Sequence, residues 1–186
     1  MYNAEINKVI RNRKTVYPTE FLRQELSEKL VKEILINATY APTHRMTQPW
    51  HFKVYRGKSK DTLCKIINKI DKKNHSEIKI NKFIEKIRLS DTVVSIILTR
   101  DSKELVPEWE EIAAVSMAVQ NMWLSCYVNN IGSYWSTPQL KDDYARQINL
   151  DINQRSLGFL FMGRYNHRET SKLRDDITQK VEWVKN

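Results

Sequence analysis

A chain of 186 residues suits one domain with a substantial core, and 41% apolar with 28% charged residues excludes a disordered composition. The formal net charge of +9 would attract polyanions such as nucleic acid, a membrane surface or a phosphorylated cofactor, but the Lys and Arg residues are scattered and a solvated basic surface explains them as readily. No signal-peptide core, membrane-length apolar run or metal-site spacing around Cys64 and Cys126 is present, so a cytoplasmic protein without membrane, disulfide or structural metal is expected.

Residues 4–11 form a predicted short helix, followed by the polar, basic RNRKTVYP. From Leu26 to Tyr40, apolar residues at Leu26, Leu30, Val31, Ile34, Leu35 and Ala38 mark one face of a helix, which Pro42 helps to stop. The stretch APTHRMTQPWHF (41–52) crowds two prolines, a tryptophan, two histidines and an arginine into a rigid loop rich in stacking and donor groups. HFKVYRG (51–57) is a strand ending in a turn glycine, and DTVVSIILTR (91–100) is a buried strand of β-branched residues. Between them, 58–90 is a charged excursion of one or two amphipathic helices, for which a lid is one reading.

The strongest element is the helix over 106–132. Pro107 lies near its first turn, Glu108, Glu110 and Glu111 complement its dipole, and Gly132 marks its stop. It is apolar nearly all round, which requires burial in a large core or at a subunit interface. GSYWSTP (132–138) is a short extended segment, QLKDDYARQI a helix, and RSLGFLFMGRYN (155–166) a strand with two embedded glycines. The tail carries an irregular basic stretch and a final short helix. Helices and strands mix without strict βαβ alternation, so one α+β domain over 1–186 is expected.

Taken together, these landmarks resemble the FMN-dependent nitroreductase family, and most closely its small single-domain NAD(P)H nitroreductases. APTHRMTQPWHF resembles the family's AP(S/D)xxNxQPW(R/H)F segment, and RKT (13–15) its N-terminal RRS. GSYWSTP resembles its GGxWRS segment, and GFLFMG its late GxLxxG strand. The resemblance spans nearly the whole chain. It implies a three-layer α/β/α fold with a mostly antiparallel central sheet and a homodimer formed through long helices. It also implies two FMN molecules at the dimer interface, and ping-pong transfer of electrons from NADH or NADPH to nitroaromatics, quinones or other flat small-molecule acceptors.

FMN presents a dianionic phosphate, a polar ribityl chain and a flat ring edged with hydrogen-bonding atoms, so a site for it must supply cations, hydroxyls and main-chain amides. By resemblance, Arg13, Lys14 and Thr15 meet the phosphate, His44 and Gln48 face the cofactor, and Arg45 and Met46 stand where relatives often carry Asn. Tyr40 either touches the cofactor or ends its helix against the core. Trp135, Ser136 and Thr137 lie along the ring, with Gly132 letting the chain turn in close. Arg174, with Lys172, closes the phosphate site, and Arg164 is its competitor. Glu110 and Glu111 are helix-start electrostatics, and no catalytic side chain is required. Two other classes stay open: a flavin-binding store, sensor or flavin-cleaving enzyme, and a basic nucleic-acid-binding module, for which the sequence carries no recognised motif.

Overall fold

The structure is a computed structural model and describes residues 4–72, 74–166 and 174–185. After α1 (Ala4–Asn12), a 3-10 turn leads into the two-residue strand β1 (Phe21–Leu22). Then come α2 (Glu28–Thr39), β2 (Trp50–Arg56), α3 (Ser59–Asn68), α4 (Glu77–Leu89) and β3 (Thr92–Thr99). The chain ends with α5 (Glu108–Val128), β4 (Ile131–Ser136), α6 (Lys141–Gln147) and β5 (Gln154–Tyr165). Every strand pairing is antiparallel, in the order β1-β5-β3-β2, and β4 also pairs with β5.

The period-2 alternation of β3 and β5 builds two cores. Val94, Ile96, Leu98, Leu160 and Met162 face α2 and α5, where they meet Ile34, Ala38, Val115, Val119 and Met122. Val93, Phe159 and Phe161 face the other way, toward Leu63, Ile67, Ile80, Phe83, Ile87 and Tyr144 of α3, α4 and α6. The sheet is therefore the middle of three layers. The excursion at 58–90 is one of those layers and not a lid: Leu63, Ile67 and Ile87 are completely buried, and moving them would open the second core.

Three further expectations change. Helix α5 stops at Val128, and Gly132 lies four residues later, inside β4. Among the described residues of the tail, the regular element is a 3-10 turn at Ile177–Gln179, and 180–185 is irregular. Glu111 does more than complement the helix dipole: it is 1% exposed and accepts from Arg100 Nε and Asp101 N–H, each at 2.9 Å. That carboxylate ties the start of α5 to the end of β3, and burial without those donors would be strongly destabilising.

Gly132 and Gly163 face each other across β4 and β5 and together make a seat for Phe21. A Cβ on Gly132 would meet the Phe21 ring at 2.8 Å and Val16 at 2.9 Å, and one on Gly163 would meet the ring at 2.7 Å. Size, not backbone conformation, demands glycine here. Gly163→Ala should destabilise by about 1–3 kcal/mol through overpacking. Melting should fall by roughly 2–4 °C per kcal/mol in a domain of this size. In a Phe21→Ala background the same change should cost much less; an equal cost would show that Phe21 is not the obstacle.

Candidate functional site

The seat for Phe21 fixes the segment just before it. Val16 N–H donates to the Ser133 carbonyl at 3.1 Å, and the Trp123 indole donates to the same oxygen at 3.2 Å, so 13–16, β4 and α5 meet at one atom. The Arg13 guanidinium lies over the Trp123 ring, 4.5 Å from its centroid. Its Nε is buried without a hydrogen-bond partner. Burial first, and then the nearby charge of Arg174, push the Arg13 pKa below its ordinary value. Among the described residues neither arginine is ion-paired with a carboxylate.

A half-buried guanidinium with an orphaned donor, which also feels the repulsive charge of a second arginine, is an arrangement that an oxyanion would relieve. Lys14 sits nearby in sequence with Nζ 5.8 Å from the Tyr165 ring centroid, and Thr15 is half-buried. Arg164, the competitor, donates one of its N–H groups, from Nη1, to the Asn129 carbonyl at 2.8 Å at the end of α5. Lys172 lies outside the described residues.

At the far end of β4, Ser136 is buried and Thr137 exposed. Gly158 has φ +106°, and a Cβ there would sit 2.3 Å from the Ser136 carbonyl oxygen. The glycine that lets this segment approach closely is therefore Gly158, not Gly132. Beside it β5 carries a bulge: Ile96 pairs with Gly158 and Ile97 with Ser156, leaving Leu157 unpaired. The Leu157 carbonyl accepts the Trp135 indole N–H at 3.0 Å. Trp135 is thus anchored in the α2/α5 core, and its polar atom is already used.

The loop 40–49 occupies another region. Tyr40 caps α2 with its side chain 80% exposed, so it does not end that helix against the core. Arg45, Met46 and Gln48 all have left-handed backbone, with φ 51°, 53° and 45°. Each such non-glycine conformation costs roughly 1–2 kcal/mol and persists only where its surroundings enforce it. Here the Thr43 hydroxyl accepts from Gln48 N–H at 3.1 Å and shares a proton with Thr47 Oγ1 at 3.2 Å, while the buried Pro49 carbonyl takes Thr99 N–H at 2.7 Å. His44 Nδ1 lies 2.5 Å from Glu110 Oε2, so Glu110 is a specific partner and not only a helix-start charge. A groove of about 390 Å³ runs between this loop and the first turns of α5, with Trp109, Ala113 and Met117 on the helix side.

The two regions are well separated within one chain. From Glu110 to Trp123, α5 rises about 20 Å. Along α5, Trp109, Met117 and Val128 are 68%, 38% and 55% exposed, so the apolar back of the helix is uncovered in the single chain. Among the described residues, no helix is long and apolar enough to cross a membrane and no cluster could hold a metal ion.

The sequence pointed to Arg13, His44 and the 135–137 segment. It gave no sign of Trp123 under Arg13, of Glu110 beside His44, or of Gly158 as the close-approach glycine, because each is a pairing between distant positions. Arg13→Met, which keeps the stem on Trp123 but removes the guanidinium, should leave the ligand-free protein at least as stable, since a buried unsatisfied donor disappears. Inorganic phosphate should raise the melting temperature of the unaltered protein and not that of the variant. Equal stabilisation of both would rule Arg13 out as an anion ligand.

The profile of the Nitroreductase family matches residues 10–164. YfhC of Bacillus subtilis (strain 168), named as an NAD(P)H nitroreductase, is 24% identical over 186 residues, covering 96% of this chain and 93% of its own. The crystal structure of a nitroreductase-like family protein from Bacillus cereus superposes with a TM-score of 0.87 at 23% identity, over 100% of this chain and 98% of that one. A nitroreductase-type protein from Desulfovibrio desulfuricans, crystallised with FMN, superposes with a TM-score of 0.75 at 20% identity, over 100% and 99%. The structural likenesses establish a shared fold, and the profile spans most of the sequence, from just before Arg13 to the end of the Phe21 seat on β5. The chain belongs to the nitroreductase family.

Proposed function

We propose that the chain is an FMN-dependent, NAD(P)H-consuming oxidoreductase that works as a homodimer and reduces nitroaromatics, quinones or similar flat acceptors by ping-pong exchange. The observation that carries this reading is the Arg13 Nε, buried and unpartnered beside Arg174. A phosphate dianion satisfies both the orphaned donor and the repulsion between two cations, so the residues present fit FMN. YfhC's name and the FMN bound by the Desulfovibrio protein support the same cofactor pair.

In this reading Arg13 and Arg174 hold the phosphate, with Lys14 and Thr15 completing that end. The main chain at Ser136–Thr137 lies along the ring, pressed into place by its approach to Gly158. Ser133, which anchors the Arg13 segment, is about 10 Å along β4 from Ser136, a distance suited to a ribityl chain. The hydride chemistry is what FMN supplies when bound, and the chain's task is to bind, orient and exclude water. Tyr40, His44 and Gln48, about 20 Å away along α5, would serve the partner subunit's cofactor, which makes the dimer part of the site. A second copy would also cover Trp109 and Met117. The cytoplasm is the compartment where such a donor is available.

Mixed with FMN and passed through a gel-filtration column, the protein should elute as a dimer carrying close to one FMN per chain, and should then oxidise NADH or NADPH with a quinone as acceptor. A colourless protein would sink the reading. Arg13→Met and Arg174→Met should each retain less flavin than the unaltered chain.

A further inference from the structure

We propose that His44 donates the proton of the acceptor half-reaction, with Glu110 as its positioning residue. The proposal rests on the reductase reading and adds a proton route that the fold alone does not supply. A carboxylate can only accept, so the 2.5 Å bond to Glu110 Oε2 places a proton on His44 Nδ1. That leaves Nε2 as the ring nitrogen able to exchange a proton with whatever occupies the groove.

Exposure is distributed as such a role requires. The His44 side chain is 56% accessible, while Glu110 behind it is 24% accessible. Among the described residues lining the groove, His44 and Glu110 are the ionisable side chains; the remaining walls are Pro42, Thr43, Trp109, alanines and Met117. The other charges nearby are otherwise engaged or point elsewhere. On α5, Glu108 pairs with Arg155 at 3.1 Å and Glu111 with Arg100 at 2.9 Å, so Glu110 is the carboxylate of that helix start that turns to the loop. Arg45 is the one further charge on the His44 turn, and it is exposed. The left-handed residues on the C-terminal side of His44 and the Thr43 clamp hold the ring's backbone in one geometry.

The chemistry balances. Converting a quinone to a hydroquinone takes one hydride and one proton. The hydride originates in NAD(P)H, which leaves as NAD(P)+. As the new O–H bond forms on the acceptor, the Nε2–H bond of the imidazolium breaks, and its electron pair stays on the ring. Solvent entering the groove then returns a proton to Nε2. Glu110 stays hydrogen-bonded to Nδ1 and keeps the ring oriented in both states.

The test begins on flavin-free, 15N-labelled protein, where the ring-nitrogen shifts of His44 report its tautomer directly. The neutral ring is expected to carry its proton on Nδ1 in the unaltered chain and should no longer be confined to that tautomer in Glu110→Ala; a neutral ring with its proton on Nε2 and Nδ1 bare in the unaltered chain would overturn the proposal. In FMN-loaded protein, His44→Asn should slow quinone consumption by about 10²–10⁴-fold and abolish its solvent isotope effect. Because His44 also faces the cofactor, bleaching of the flavin by NADH is expected to slow as well, but by a far smaller factor than quinone consumption; equal slowing of both half-reactions would mean a binding role only and would overturn the proton role. Glu110→Ala should lose part of the rate, and Glu110→Gln, which can still accept from Nδ1, should recover some of it. Quinone consumption by His44→Asn at the unaltered rate would reject the proton role while leaving the reductase reading intact. Failure of the unaltered protein to retain FMN would reject the reductase reading and the proton role with it.

Discussion

Because β5 pairs with β1, β3 and β4, its alternation decides which side chains reach each helical layer, and its glycines decide how closely neighbouring segments approach. Phe159 and Phe161 go to one core and Leu160 and Met162 to the other. Gly163 admits Phe21, which brings Val16 onto Ser133 and so places Arg13 over Trp123. Gly158 admits the end of β4. Both halves of the candidate cofactor site thus take their positions from one strand, although neither half has its side chains on it.

The fold was largely legible because helices and strands announce themselves by period. The spacing from Leu26 to Ala38 gave α2, and the β-branched run at 92–98 gave β3. What the pattern could not show is the partner. Lys and Glu residues spaced through 58–90 read as a mobile excursion, yet Leu63, Ile67, Ile70, Ile80, Phe83, Ile84 and Ile87 share one core with Phe159 and Phe161. Gly132 was placed at a helix stop because a glycine after a helix commonly sits there; its actual reason is a phenylalanine more than a hundred residues earlier. At the site, residue types were readable and their uses were not. Arg13 was recognisable as a phosphate ligand only by resemblance, whereas its orphaned Nε and its neighbour Arg174 are facts of three-dimensional placement.

The site also shows how local cost and function are distributed. A half-buried arginine without a carboxylate, and three non-glycine residues with positive φ in one loop, are each unfavourable on their own. They are borne by a framework with two well-filled cores, and both occur where the family resemblance puts ligand contacts. The remainder of the charge network is conventional: Arg100 with Glu111 and Arg155 with Glu108 neutralise the start of α5 and leave a single carboxylate facing the loop. That selective neutralisation turns a generic acidic first turn into a directional one.

The bulge at Leu157 has a consequence of another kind. Pairing between β3 and β5 is regular on both sides of it, so the sheet needs no residue at that position to keep its faces in order. Leu157 is surplus to the ladder, and its carbonyl, freed from strand pairing, is what holds the Trp135 indole. It acts as a shim. Since Leu157 and Trp135 both pack against the α2/α5 core, this one residue fixes the height of the 135–137 segment relative to the sheet and ties it to that core.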